Sequence, residues 1–224
     1  AFHFANEYFN PYQSFFFERT AGIRGALNFP YSVHRRIEIS SSLWYSYKDY
    51  YVEEPESFLF ISNFFSLIHD NSLWTMTGPL DGWRARITAG PTYDYSRGRY
   101  QNFTTWIDLR SYWQVRPRIT LAHRTMIWMN EGEDIQRYYI GGSWGIRGYR
   151  WSEIKGRKMI MFNQELRFPF AQKLEMNFNS GSIWLAPIRG AIFLDLGNAW
   201  EHEFPGFLSS SGIGFRAALM GALV

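Results

Sequence analysis

Apolar and polar residues alternate along most of this chain, with the period of two that marks a half-buried β-strand. In 36–47, Ile37, Ile39, Leu43, Tyr45 and Tyr47 oppose Arg36, Glu38, Ser40, Ser42 and Ser46. In 83–89, Trp83, Ala85, Ile87 and Ala89 oppose Arg84, Arg86 and Thr88. In 158–168, Ile160, Phe162, Leu166 and Phe168 oppose Asn163, Glu165 and Arg167; in 188–197, Ile188, Ile192, Leu194 and Leu196 oppose Arg189, Phe193 and Asp195. The pattern predicts strands over 1–9, 15–28, 35–50, 57–69, 82–96, 100–115, 118–129, 157–169, 188–200 and 211–220, with a further start at 222, about eleven in all. Many exceed the usual five or six residues or so of globular strands. They reach the roughly 9–11 residues that a tilted transmembrane strand needs. A soluble sandwich with an aromatic core explains the alternation equally well, but the long strands and the many apolar outward positions badly.

The connections sharpen this picture. RPR at 116–118 is short, MG at 220–221 reads as a tight turn, and 130–156 is long and glycine-rich. Short periplasmic turns alternating with longer extracellular loops are the habit of outer-membrane barrels. If 130–156 is extracellular, so are 10–14, 51–56, 97–99 and 201–210, leaving 29–34, 70–81, 116–118, 170–187 and 220–221 periplasmic. The segments 70–81 and 170–187 are long for that side. Aromatic groups near strand ends, Phe15-Phe16-Phe17, Tyr45, Tyr47, Tyr50, Tyr51, Phe64-Phe65 and Tyr138-Tyr139, suit interfacial girdles.

Composition narrows the class. Aromatic residues make up 20% of the 224 residues, yet the mean hydropathy is −0.29. A net charge of +3 is too diffuse for a nucleic-acid partner, which calls for a clustered basic face. There is no cysteine, hence no disulfide framework or thiolate metal site. No apolar run reaches the roughly 18 residues of a membrane-spanning helix. No signal peptide is recognised, and the strand-like start AFHFANEYF suggests a piece of a longer polypeptide.

The stretch GGSWGIRGYRW at 141–151 sets Arg147 in a glycine-rich loop. An arginine on a long loop can fold back into a polar barrel lumen, where a desolvated guanidinium needs a carboxylate. Asp195 is the first candidate, on the inward face of its strand with Phe193 and Gly197. Gly197 leaves room for close approach of the loop. Glu165, on the inward face of the preceding strand, is the second. Ile146 and Tyr149 flank Arg147 and are placed to pack on lumen aromatics, while Gly141, Gly142 and Gly148 let the backbone turn.

Four stretches then carry a resemblance: GGSWGIRGY at 141–149, NQELRFP at 163–169, IFLDLGNAW at 192–200 and TGPLDGWRARI at 77–87. In order and spacing they resemble the C-terminal barrel of the bacterial surface antigen superfamily, which includes the outer-membrane assembly factor BamA, its relative TamA and the two-partner secretion transporters. The resemblance is specific over 77–224 and rests on pattern alone over 1–76. It implies an all-β, transmembrane antiparallel β-barrel of about 16 strands, of which residues 1–224 hold part of one barrel domain. The first strands, the last strand and any periplasmic POTRA domain would lie outside the segment. It implies the outer membrane of Gram-negative bacteria, lipid and lipopolysaccharide around the barrel, protein clients and accessory subunits as partners, and a role in protein assembly or translocation. It also sets the Arg147 position against the carboxylate matching Asp195, as a structural clamp.

Two other classes stand beside this one. A passive porin or structural barrel has the same alternation but no use for the loop signature. A barrel enzyme needs a nucleophile–base constellation. His3, His34, His69, His123 and His202 are scattered, no Gly-x-Ser-x-Gly occurs, and Asp94, Asp108, Glu131, Glu133 and Asp134 form no defensible pair. No catalyst, cofactor or metal site is expected.

Overall fold

The computed structural model describes residues 2–10, 14–50, 54–75, 78–133, 137–151, 153–171, 174–178, 181–185, 188–219 and 222–223. The expected tight turn at Met220 and Gly221, Asp134 in the long loop, Tyr51, and parts of the connections 10–14, 51–56 and 170–187 fall outside them, as do the side chains of Phe15 and Phe16. Among the described residues every regular element is a strand: β1 (Phe2–Asn10), β2 (Ser14–Ser32), β3 (Arg35–Tyr50), β4 (Glu56–Asp70), β5 (Leu73–Thr75), β6 (Gly78–Asp94), β7 (Arg99–Arg116), β8 (Ile119–Gly132), β9 (Tyr138–Ile140), β10 (Ile154–Gly156), β11 (Lys158–Ala171), β12 (Leu174–Phe178), β13 (Gly181–Leu185), β14 (Ile188–Trp200), β15 (Leu208–Leu219) and β16 (Ala222–Leu223). One 12-stranded sheet runs in the order β1-β2-β3-β4-β6-β7-β8-β11-β14-β15-β16, with β5 on β6. Two further pairs, β9 with β10 and β12 with β13, are antiparallel hairpins.

The chain packs as two compact units. In the first (Ala1–Ile68, Ile87–Trp106, Met129–Gln136) the buried side carries many polar groups beside Phe58, Phe60 and Ile68. Ser66 and Thr88 share a hydrogen bond of 2.8 Å, Ser62 and Thr92 one of 3.0 Å, and Trp44 Nε1 donates to Ser62 Oγ at 3.0 Å. Small hydroxyl side chains on adjacent strands satisfy one another across the sheet. Ile23, Leu27, Ile39 and Leu43 lie exposed on the opposite face. The second unit (His69–Arg86, Ile107–Trp128, Arg137–Val224) repeats the inversion. Asp108, Glu165, Arg189, Asp195 and Asn198 are buried, whereas Leu166, Ile192, Leu194, Ile213 and Phe215 are exposed. In water this arrangement strands apolar surface and desolvates charge. Against hydrocarbon it is the stable one, because the lipid solvates the outward side chains and the inward face keeps its polar partners. No helix among the described residues is long and apolar enough to cross a membrane.

Several connections differ from those expected. The turn placed at 29–34 shrinks to Val33–His34, because β2 continues to Ser32 through a register shift at Pro30; proline, lacking an N–H, interrupts the ladder without ending the strand. The segment 70–81 is not a plain turn. The Asp70 carboxylate accepts from Ser72 N and Oγ, and β5 folds back on β6. The segment 170–187 contains the β12–β13 hairpin, and β15 begins at Leu208 rather than 211. The loop expected at 130–156 is narrower: β8 reaches Gly132 and β9–β10 closes its base. Tyr138 packs on Trp128 with ring centroids 4.4 Å apart.

The inverted faces predict the response to a charge. Leu194→Arg, at the middle of β14 on the exposed face, lowers folding stability in lipid vesicles by about 2–4 kcal/mol. A urea titration reads this directly, and a change within about 0.5 kcal/mol, as expected of an ordinary wet surface, contradicts a lipid-facing Leu194.

Candidate functional site: an arginine brace in the second unit

Asp195 is wholly buried at the centre of β14. Its inward neighbours follow from the register: Asn163↔Asp195↔Ser210, then Glu165↔Phe193↔Gly212, across β11, β14 and β15. A carboxylate so placed must collect donors or become protonated. It collects four. The Arg147 guanidinium reaches it by two prongs, Nε to Oδ2 at 2.7 Å and Nη2 to Oδ1 at 2.5 Å, and the Arg147 backbone N–H donates to Oδ2 at 3.1 Å. Asn163 Nδ2 gives the fourth bond at 2.8 Å, and also donates to Gly145 O at 3.0 Å, tying the loop backbone to β11. The bidentate fork is the strong form of an arginine–carboxylate pair.

The third prong of Arg147, Nη1, donates to Glu165 Oε1 at 2.5 Å. Glu165 also accepts from Arg167 Nε at 2.7 Å and Arg216 Nη2 at 3.0 Å. The guanidinium lies on the Phe193 ring with Cζ 3.6 Å from its centroid, a cation–π contact in a partly desolvated setting. Burial disfavours the charge on Arg147, but the hydrogen bonds and negative charges of Asp195 and Glu165 outweigh it and hold its pKa above the ordinary value.

The loop reaches this position by close backbone approach. Ile146 is fully buried. A Cβ placed on Gly197 would sit 3.1 Å from Ile146 Cδ1 and 2.5 Å from Ile160 O, so only glycine fits under the loop there. Gly148 has φ +91°, a conformation that side chains rarely adopt, and it turns the chain immediately after Arg147. Gly141 and Gly142 open the loop; Gly142 N–H donates to Tyr149 O at 3.0 Å and closes it. Ile146 packs over Gly197, and Tyr149 directs its hydroxyl toward Ser209 O at 3.5 Å. The aromatic partner belongs to Arg147 itself, through Phe193.

All ten residues singled out in the sequence thus fall in the second unit, and Ile146, Arg147, Asp195, Phe193, Gly197 and Glu165 are in one cluster. Asn163, Arg167 and Arg216 were not singled out. Asn163 and Arg167 flank Glu165 at two-residue spacing, which is the signal that would have found them; Arg216 is brought in only by the register of β15. Buried Met159 and Met161 also line this inward face.

Both ends of the loop are pinned as well. Arg137 Nε donates to Glu201 Oε1 at 2.6 Å and Arg157 Nε to Glu201 Oε2 at 3.4 Å. Burial alone pushes the Glu201 carboxyl up, but the hydrogen bonds and charges of these two arginines prevail and hold it below the usual glutamate range.

Two outcomes are expected. Arg147→Ala leaves Asp195 buried with unmet charge and costs about 3–5 kcal/mol of stability. A double-mutant cycle with Asp195→Ala returns a coupling toward the upper end of roughly 0.5–3 kcal/mol, and additive effects contradict the pairing. For Glu201, a depressed folded pKa contributes stability above the unfolded value of about 4.3 that disappears as pH falls through the lower folded value. Amide exchange in 137–156, corrected for its intrinsic pH dependence, therefore loses protection in that acid window. Glu201→Gln abolishes the dependence; an unchanged profile contradicts it.

The Omp85 superfamily domain matches residues 9–218. No protein of curated function matches significantly. Among solved structures, the chain is similar to BamA from Haemophilus ducreyi lacking POTRA domains 1–3, with a TM-score of 0.78 at 13% identity, over 97% of this chain and 52% of that one. It spans about half the length of that structure, and the shared fold is the all-β antiparallel barrel, present here in part. With 9–218 matched, the chain belongs to the Omp85 superfamily.

Proposed function

We propose that this chain is part of a bacterial outer-membrane barrel that assists insertion of outer-membrane proteins or passes a protein client, without enzymatic chemistry of its own. The observation that carries this reading is the Arg147 brace: a loop guanidinium bonded to Asp195 and Glu165 on the inward face of a sheet whose outward face is apolar. A diffusion pore does not need the loop signature around Arg147. The superfamily match across 9–218 supports treating 1–224 as part of one barrel domain. The loop 130–156 is then an inward-folded element that stiffens the wall. Movement elsewhere, at the seam between first and last strands, would offer a strand edge to a client, because an unpaired edge is a template for strand addition. Outer-membrane lipid and lipopolysaccharide surround the barrel; protein clients and accessory subunits are its partners.

The test is photo-crosslinking in cells from the full-length protein, with the crosslinker on the seam strands. Adducts with nascent barrel proteins assign assembly, and adducts with a secreted polypeptide assign translocation. Both fall several-fold in Arg147→Ala at equal amounts of inserted protein. No client adduct, together with large and steady conductance of the reconstituted protein, overturns the reading in favour of a pore.

A further inference from the structure

The charges around the brace do not balance. Among the described residues around the brace, Arg147, Arg167, Arg189 and Arg216 stand with Glu165 and Asp195; four positive against two negative leaves +2. Asp195 is consumed by Arg147 and Asn163. Glu165 alone serves Arg147, Arg167 and Arg216. Arg189 has neither carboxylate. It is only 7% exposed, and among the described residues its Nη2 reaches a single carbonyl, Arg118 O, at 3.4 Å, while its buried Nη1 meets no hydrogen-bond partner. A buried, half-satisfied guanidinium is costly and calls for an explanation.

The register says what surrounds it. Arg189 lies directly opposite Arg216 on β15, and the adjacent inward rung is Arg167↔Ala191↔Gly214. Like charges directly across a sheet destabilise it, and here three lie within two rungs. The two positions among them carry the smallest side chains. At Gly214 an added Cβ would meet nothing within 4 Å, so the space over it is open. The Arg216 side chain is 40% exposed, which leaves a way in.

We propose that Arg167, Arg189 and Arg216, over Ala191 and Gly214, form a binding site for a phosphate-type oxyanion. The excess of two positive charges matches a phosphate dianion, and guanidinium forks are suited to its oxygens. The ligand is inorganic phosphate or the phosphomonoester of a lipid headgroup, which present the same chemistry. The site is separate from the Arg147–Asp195 contact and does not depend on which client the barrel serves.

The experiment follows thermal unfolding of the full-length protein in detergent, at one scan rate and constant ionic strength, with chloride replaced by inorganic phosphate or by glycerol 3-phosphate. The wild type shows a saturable rise of roughly 5 °C at about one hundred times Kd. Arg189→Gln weakens the apparent affinity at least tenfold. Gly214→Glu places a carboxylate in the seat, unfolds at a higher temperature in chloride and no longer responds to phosphate; it carries the test if Arg189→Gln does not fold. Tenfold tighter binding of glycerol 3-phosphate assigns the site to a headgroup, and equal or weaker binding to free phosphate. No saturable shift beyond chloride in the wild type, or the same affinity in Arg189→Gln, overturns the proposal.

Discussion

A buried carboxylate dictates the arrangement of the second unit. Asp195 sits with no exposure on the inward face of β14, where an unpaired charge costs several kcal/mol or so. Its donors come chiefly from a loop 48 positions away in sequence, which supplies both a guanidinium and a backbone N–H. Because a backbone donor is used, the loop cannot satisfy Asp195 by extending a long side chain from a distance; its main chain must come down onto the wall. The glycine at 197, the left-handed turn at Gly148 and the burial of Ile146 all follow from that single requirement.

The requirement in turn depends on the inverted sheet. An arginine, an asparagine and two carboxylates can share one face only if the opposite face does the work of partitioning, and here Leu166, Ile192 and Leu194 are left to the lipid. The inward face then becomes a place where polar groups compete for partners rather than for water. Serine and threonine pairs resolve that competition in the first unit. In the second, ionised groups do so, and around the brace their mismatch in number among the described residues, four arginines to two carboxylates, leaves Arg189 short.

The strands were legible because a period of two is a local signal, repeated along β3, β6, β11 and β14. Arg147 and its two carboxylates were legible for a related reason: Asp195 and Glu165 each stand on a face whose opposite is plainly apolar, and an arginine among glycines demands a partner. The shorter elements were not. β5, β9 and β10 have three residues each, too few to establish a period, and they exist through pairing with distant segments. Asn163 was visible as a polar residue on the right face, but its importance depends on lying opposite Asp195, and register is a property of two strands together. The same holds for Arg216 opposite Arg189. Met159 and Met161 carried a signal that went unread: apolar residues interrupting a polar face mark where another part of the chain covers the wall.

Asp195 holds the loop against the barrel wall, and the absence of cysteine from these 224 residues makes that hold directly measurable. With any cysteine outside these residues replaced by serine, Ile146→Cys in the full-length protein in intact cells is challenged with a membrane-impermeant maleimide, with and without Asp195→Ala. Ile146→Cys alone is labelled slowly, and labelling is faster by an order of magnitude or more once Asp195 is removed. Equal labelling rates in the two backgrounds would contradict it.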